Sequence, residues 1–143
     1  MKMEQIPFGT TDWSAVEPTE HKGEVGVALW RTQTFGGIRV RMVEYTPGYQ
    51  ADHWCTKGHV LLCLEGELET VLEDGRRFLL KPGMSYQVAD VAEPHRSQTA
   101  TGAKLCSVDV RARAPWRVGR VHGLWRDVNS CPFGPLPGPA DGS

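Results

Sequence analysis

The chain has 143 residues and a mass of 15.8 kDa, a size that fits one domain. Its 16 Lys and Arg residues nearly balance 17 Asp and Glu residues, and a formal charge of -1 argues against a protein that binds nucleic acid along its whole length. Since no apolar stretch approaches the ~20 residues of a membrane-spanning helix, and the N-terminus shows no secretory signal, we expect a cytoplasmic protein with no membrane partner.

The predicted elements are short strands that begin after residue 24. Gly36-Gly37 and Asp74-Gly75 separate β-rich runs in the way that hairpin connections do, because the turn positions favour a positive φ. Glu65-Gly66 is predicted to be another turn, with the strands on its two sides as partners. In chain order the predicted strands are 25–35, 38–46, 59–64, 67–72, 76–80, the run from Pro82-Gly83 to Val88, and 104–112.

Strands this short favour a sandwich or a barrel over a parallel α/β sheet. We therefore predict an all-β barrel over residues 25–112, preceded by an N-terminal arm at 1–24. Residues 113–143 hold five of the ten prolines and are predicted to be an irregular, Pro/Gly-rich tail. Residues 111–143 carry five basic and two acidic groups, net +3, against 11 basic and 15 acidic groups, net -4, over 1–110. We expect this basic tail to wrap the acidic barrel or a partner subunit, rather than to bind nucleic acid.

Residues that can bind a metal concentrate at Asp52–His59 and again at His95. On a strand, His53 and Cys55 would share one face, and His59 has the same parity. Imidazole is the commonest ligand for Zn, Fe, Cu and Ni, and a thiolate adds a softer donor. The spacing is not that of a structural zinc finger, whereas catalytic sites use three protein ligands and leave positions open. A single histidine is more often structural, so only the group favours a metal site.

These residues resemble two motifs of the cupin superfamily, and in particular those of small single-domain bacterial cupins with an Asp-His plus Trp/Cys signature. The first motif is matched by Gly48, His53, Cys55, His59 and Gly66, and the second more loosely by Gly75, Pro82-Gly83 and His95. Cys55 stands where the family has its second histidine, and His59 stands where it has glutamate. Four residues rather than five separate Gly48 from His53.

The resemblance implies a small jelly-roll barrel, a homodimer formed through edge strands, and one divalent transition metal, namely Fe, Zn, Ni, Mn or Cu. The implied ligands are His53, His59 and His95, with Cys55 as an optional fourth. A site of neutral histidines keeps the charge of the metal and favours an anionic ligand, whereas a thiolate from Cys55 would tilt the choice of metal towards zinc, nickel or copper.

Further residues are candidates for binding a substrate. Arg39, Arg41 and Tyr45 share one face of their predicted strand. If that face points inward, it supplies cations for a carboxylate; if it points outward, it is ordinary surface, which is the interpretation that we favour. Tyr86 and Gln87 precede the segment of His95 and are predicted to line the mouth of the barrel.

Three functions remain open from the sequence. The leading hypothesis is a metal-dependent enzyme that acts on a small organic molecule, with anions among the candidates, by oxygenation, isomerisation or lyase chemistry. The second is a non-catalytic module that binds or senses a small molecule. The third is a Cys55 thiolate that acts as a nucleophile paired with a histidine, which we rank last because histidines at metal-like spacing already account for that cysteine.

Overall fold

The computed structural model describes residues 3 and 5–110, which form two antiparallel β-sheets. One turn of 3-10 helix at Trp13–Ala15 precedes the sheets, and the described residues contain no helix long and apolar enough to cross a membrane. The strands are β1 Thr19–Lys22, β2 Val27–Phe35, β3 Ile38–Tyr45, β4 His59–Gly66, β5 Leu68–Leu72, β6 Arg77–Leu80, β7 Ser85–Val88, β8 His95–Gln98 and β9 Ala103–Val110. The predicted basic tail at 113–143 lies outside the described residues.

The two sheets enclose a common interior. The large sheet has the strand order β1-β2-β3-β9-β4-β7, and the small sheet has the order β6-β5-β8. Buried apolar side chains from both sheets form one cluster, which includes Leu61 and Leu105 of the large sheet and Leu68 and Leu80 of the small one. The prediction of an all-β jelly-roll barrel is confirmed. Within the segment that the sequence assigns to an N-terminal arm, β1 pairs with β2 at the edge of the large sheet.

Two predicted hairpins are confirmed. The turn at Gly36-Gly37 joins β2 to β3, with Phe35 opposite Ile38, and Gly36 has a φ of 57°. The turn at Asp74-Gly75 joins β5 to β6, and the Asp74 carboxylate accepts a hydrogen bond from the backbone N–H of Arg76 at 3.0 Å. Both turns contain a left-handed residue, which glycine adopts without a steric cost.

The predicted hairpin at Glu65-Gly66 is wrong. β4 continues to Gly66 and pairs with β7 and β9, whereas β5 pairs with β6 and β8 in the other sheet. The register of β4 against β9 shifts between Cys63 and Glu65, and Gly66 has a φ of 73°. The chain therefore bends here and passes from the large sheet to the small one, which is what a bulge and a left-handed glycine permit.

His95 lies outside all the strands predicted from the sequence, but it is the first residue of strand β8. Its neighbours are polar and the strand has only four residues, so the hydrophobic pattern does not distinguish it from a loop. What makes it a strand is its pairing with β5, where Leu72 lies opposite His95 and Thr70 lies opposite Ser97. The side chains of His95 and Ser97 are buried between the sheets.

The orientation of one face of β3 also differs from the expectation drawn from the sequence. Arg39, Arg41 and Tyr45 are buried, so the face that we assigned to the surface points inward. Asp109 lies directly opposite Arg39 on β9, and its carboxylate accepts two hydrogen bonds from that guanidinium, the one from Nε at 2.8 Å. A buried arginine is tolerated where it is paired and hydrogen-bonded in this way. Arg41 in turn donates from Nε to the Thr32 hydroxyl at 3.1 Å.

Candidate metal centre

Three side chains with metal-binding donor atoms meet inside the barrel. The donor atoms of Cys55, His59 and His95 all lie within 4.8 Å of one another, and the three residues are buried. His59 is the first residue of β4 in the large sheet, and His95 is the first residue of β8 in the small one. The two imidazole rings are 5.0 Å apart, centroid to centroid. The group therefore spans the gap between the sheets.

Backbone pairing explains how Cys55 reaches a residue forty positions away. Cys55 forms an isolated antiparallel bridge with His95. The N–H of Cys55 donates to the carbonyl of His95 at 2.7 Å, and the N–H of His95 donates to the carbonyl of Cys55 at 3.0 Å. Because both hydrogen bonds of the bridge belong to these two residues, their side chains are held as neighbours, and the loop before β4 is anchored to the small sheet.

Both histidines are oriented by a backbone carbonyl two residues earlier in the chain. Nδ1 of His59 lies 2.9 Å from the carbonyl oxygen of Lys57, and Nδ1 of His95 lies 2.9 Å from that of Glu93. A carbonyl oxygen only accepts hydrogen bonds, so in each ring Nδ1 carries the proton and Nε2 carries the lone pair. A hydrogen bond of this kind, which fixes the tautomer and the ring orientation, is the usual arrangement of histidines that bind metals.

The interior keeps His59 uncharged at neutral pH. The pKa of His59 is lowered from 6.5 to about 4, mainly by burial and to a smaller extent by the nearby His95. The hydrogen bond to Lys57 and the carboxylate of Asp109 act in the opposite direction but do not outweigh burial. A metal ion binds the neutral form of imidazole. No proton therefore has to leave His59 before a metal can bind at pH 7.

The side chain of Tyr86 on β7 contacts both imidazoles. Its hydroxyl lies 3.0 Å from Nε2 of His59, and its ring meets those of His59 and His95 edge-on at 5.4 and 5.8 Å. Burial raises the pKa of Tyr86 well above its ordinary value, and Cys55 adds to the rise, although the hydroxyls of Thr70 and Ser97 oppose it. The phenol is therefore protonated and donates to the lone pair of Nε2.

The environment of His53 differs from that of the other two candidate histidines. Nδ1 of His53 lies 2.5 Å from the Asp52 carboxylate, in the loop before β4, and the His53 side chain is 18% exposed. His53 is not among the residues whose donor atoms converge within 4.8 Å, whereas Cys55, which the resemblance implied only as an optional ligand, is. Equal parity places His53 and Cys55 on one face only in a strand, whereas residues 52 and 53 form a bend.

The candidate substrate-binding residues lie in different places. Tyr86 lies at the cluster, as described above, whereas Gln87 has the opposite parity on β7 and is exposed. Tyr45 stacks on Tyr49 at 4.1 Å within the apolar cluster. Arg41 is buried on the inward face of β3, with its guanidinium carbon 4.8 Å from the centre of the Trp30 ring.

Three polar residues of the interior were not identified from the sequence. Asp109 is buried and acts on the pKa of His59, while Thr70 and Ser97 lie on the small sheet opposite Tyr86. In the last strand, Ser107 and Asp109 alternate with Val108 and Val110, a pattern that is typical of polar residues facing solvent, so it did not indicate that Asp109 is buried. Thr70 and Ser97 gave no signal either, because hydroxyl residues are common on solvent-facing strands.

Two antiparallel sheets with a buried Cys-His-His group between them place this chain in a class of protein: β-barrels with a candidate metal centre in the interior. No family model matches the sequence, and no curated protein is significantly similar to it. Solved structures, however, do match the fold.

Three of these structures illustrate the similarity of fold. The polyketide cyclase RemF from Streptomyces resistomycificus has a TM-score of 0.64 at 19% identity, over 76% of this chain and 83% of that one. A sugar phosphate isomerase of the cupin superfamily from Silicibacter pomeroyi has a TM-score of 0.59 at 16% identity, over 72% and 76%. A cupin-like protein from Thermotoga maritima has a TM-score of 0.58 at 14% identity, over 67% and 79%. The chain has the cupin fold, and the resemblance seen in the sequence is confirmed at that level.

Proposed function

We propose that this protein is a metal-dependent enzyme that acts on a small organic anion inside the barrel. One observation carries the proposal: two imidazoles, each with Nδ1 fixed on a carbonyl, face a cysteine so that the three donor atoms lie within 4.8 Å. Two nitrogen donors and one soft sulfur donor suit zinc, nickel or copper, and also iron if the cysteine does not ligate. Three protein ligands leave coordination positions open for a substrate.

The charge of the interior supports an anionic substrate. One thiolate and two neutral imidazoles would leave a bound dication with a net positive charge. On the inward face of β3, the guanidiniums of Arg39 and Arg41 are both buried, and Asp109 lies opposite the first of them. The positive charge left on an incompletely neutralised metal favours a carboxylate or another small anion over a neutral ligand.

The roles of the residues follow from their positions. Cys55, His59 and His95 would hold the metal, which would supply a Lewis acid or a site for dioxygen. The protonated phenol of Tyr86 donates to Nε2 of His59, and it is placed to donate to an oxygen of the substrate once that nitrogen binds a metal. Such a positioned donor stabilises charge that develops on a reacting oxygen. His53, in the adjoining loop, stays a prediction as a further ligand.

The neighbours on the same fold include enzymes, such as the cyclase and the isomerase named above. At 16% and 19% identity they indicate no particular reaction for this chain. Oxygenation, isomerisation and lyase chemistry therefore remain the proposed classes. The homodimer through edge strands and the cytoplasmic location also stay predictions.

Elemental analysis of protein purified without a His tag tests the metal. We expect stoichiometric metal in the natural chain and in the control Cys63→Ser, because Cys63 is not in the converging group and its thiol lies against the carbonyls of Glu65 and Gly66. His59→Ala and His95→Ala should lose the metal, and His53→Ala shows whether His53 contributes. Metal retained in both of the first two variants would refute the proposed site.

A screen of small organic acids under air then tests the reaction. Turnover that disappears with chelation and with Tyr86→Phe, while Tyr86→Phe keeps its metal, supports the enzyme and the role of the phenol. A ligand that raises the melting temperature without being turned over would indicate a binding module. Activity that survives chelation but is lost on alkylation of Cys55 would instead indicate a cysteine nucleophile.

A further inference from the structure

An apolar patch lies on the outer face of the large sheet, away from the interior. Val60, Leu62 and Leu64 alternate along β4 and are 52%, 38% and 41% exposed, and Val110 at the end of β9 is 53% exposed. We call the residues Val60, Leu62, Leu64, Cys106, Val108 and Val110 the outer patch. Their parity places them opposite the buried side chains of the same two strands.

Strand pairing makes the outer patch continuous. Val60 lies directly opposite Val108, and Leu62 lies directly opposite Cys106, across the β4–β9 ladder. On the other side of β9, the half-buried Val40 and Met42 of β3 lie opposite the same two residues. Apolar side chains thus cover three adjacent strands. Contiguous apolar surface of this kind usually marks a face that another polypeptide segment covers.

We propose that residues 111–143 of the same chain cover the outer patch. The position at which this segment begins supports the proposal, because β9 ends at Val110, itself a member of the patch, between strands β3 and β4. A segment of 33 residues is long enough to turn back over three strands that lie about 5 Å apart. It also contains apolar residues that suit such a face: Trp116, Val118, Val121, Leu124 and Trp125.

Charge favours the same occupant. Residues 111–143 carry a net +3, and residues 1–110 carry a net -4. Beyond the patch, on the same outer face, lie Glu44 and Glu65, with Lys104 between them and within 3.4 Å of Glu65. Arg31 of β2 also lies on this face, opposite Met42, so the local charges nearly balance, and it is the net -4 of residues 1–110 that favours a segment with five arginines. A second copy of the barrel would instead bring another net -4 against this one, which like charges disfavour.

Limited trypsin digestion of the full chain tests the docking. Leu62→Lys places a cation in the centre of the patch, and it should speed cleavage after the arginines of residues 111–143 at least fivefold relative to the natural chain. The matched control is Leu79→Lys on β6, a leucine of the small sheet that is 48% exposed against 38% for Leu62, and it should leave the rate unchanged. Equal rates in the natural chain and in Leu62→Lys would overturn the proposal.

Cross-linking of the natural chain identifies the occupant without any variant. Cys106 lies in the patch and Cys131 lies in the proposed cover, so a short bifunctional maleimide should join them. With a mixture of ¹⁴N- and ¹⁵N-labelled chains, we expect the cross-linked peptides to carry a single isotope. Mixed-isotope peptides alone would assign the patch to a second copy, and a lack of any Cys106–Cys131 cross-link would show that this segment does not cover it. Either result overturns the proposal.

Discussion

At the scale of single residues, the candidate centre depends on how the main chain holds its histidines. His59 and His95 use the same device, in which Nδ1 donates to the carbonyl of the residue two positions earlier. A carbonyl of the main chain cannot be protonated near neutral pH, so the tautomer does not change when a nearby carboxylate titrates. What does change with pH is the protonation of the second ring nitrogen, and burial makes that protonation costly for His59.

The burial of His59 predicts how the stability of the metal-free protein depends on pH. The pKa is about 4 in the folded protein and 6.5 in the unfolded chain. Between these values the unfolded chain binds a proton that the folded protein does not, so the free energy of unfolding falls as the pH drops from 6.5 to 4. A shift of this size corresponds to roughly 3 kcal/mol in the free energy of unfolding. This stability is fully present above pH 6.5, the pKa of His59 in the unfolded chain.

Urea unfolding of chelator-treated protein at about pH 4.5 and pH 7 measures this dependence. His59→Gln is the matched variant, because its amide fills a similar volume but does not titrate. We expect the loss of stability in acid to be smaller in this variant. His21, whose pKa burial also lowers, keeps its own part of the dependence in both proteins. An identical pH dependence in both proteins would show that His59 is not the titrating group.

At the scale of elements, the passage from β4 to β5 decides where the candidate ligands can meet. β4 belongs to the large sheet and β5 to the small one, so the chain crosses between sheets at Gly66. Gly66 has a φ of 73°, and a Cβ atom there would lie 2.1 Å from the carbonyl oxygen of Gly102. The crossing brings His59, at the start of β4, to face His95, at the start of the strand that pairs with β5.

Gly66→Ala should therefore destabilise the barrel. The added Cβ would clash with the backbone of Gly102, and alanine is strained at a positive φ. We therefore expect the free energy of unfolding to fall by about 2–4 kcal/mol. Gly37→Ala is the control, since no atom lies within 4 Å of a Cβ at that turn position, and its effect should stay below about 1 kcal/mol. Chemical denaturation of both variants measures the difference. Equal midpoints would show that the crossing tolerates a side chain.

At the scale of the whole molecule, the sequence predicted the fold better than the pairing of the strands. Alternation and turn residues indicate separate strands, and they correctly identified the hairpins at Gly36-Gly37 and Asp74-Gly75. The same signal at Glu65-Gly66 suggested a hairpin, because a glycine in a bulge and a glycine in a turn look alike in sequence. Which sheet receives the next strand depends on packing between sheets, and that information is not local.

The candidate centre shows a similar limit. The donor types and their grouping were visible in sequence, and His59, His95 and Cys55 are together in the structure. The position of His53 and the inward face of Arg39 could not be read from parity. His53 lies in a bend, and Arg39 is buried because Asp109, seventy residues later, pairs with it. Long-range partners of this kind decide burial and leave no mark near the residue itself.

The placement of the three candidate ligands makes metal binding a property of the whole barrel. His59 belongs to the large sheet, His95 to the small one, and Cys55 to the loop that the backbone bridge joins to His95. A metal held by all three would link parts of the chain that separate on unfolding, and the unfolded chain offers no such arrangement. Binding should therefore stabilise the folded state, by about 4 kcal/mol at a thousandfold excess of free metal over its dissociation constant.

Thermal unfolding of chelator-treated protein, with and without added zinc or nickel, measures this stabilisation. His95→Ala should abolish the increase, because it removes the only ligand of the described group that belongs to the small sheet. Cys63→Ser should keep the increase, since Cys63 lies in the apolar cluster and not in the group. If His95→Ala gained as much stability from metal as Cys63→Ser, the ion would be binding elsewhere.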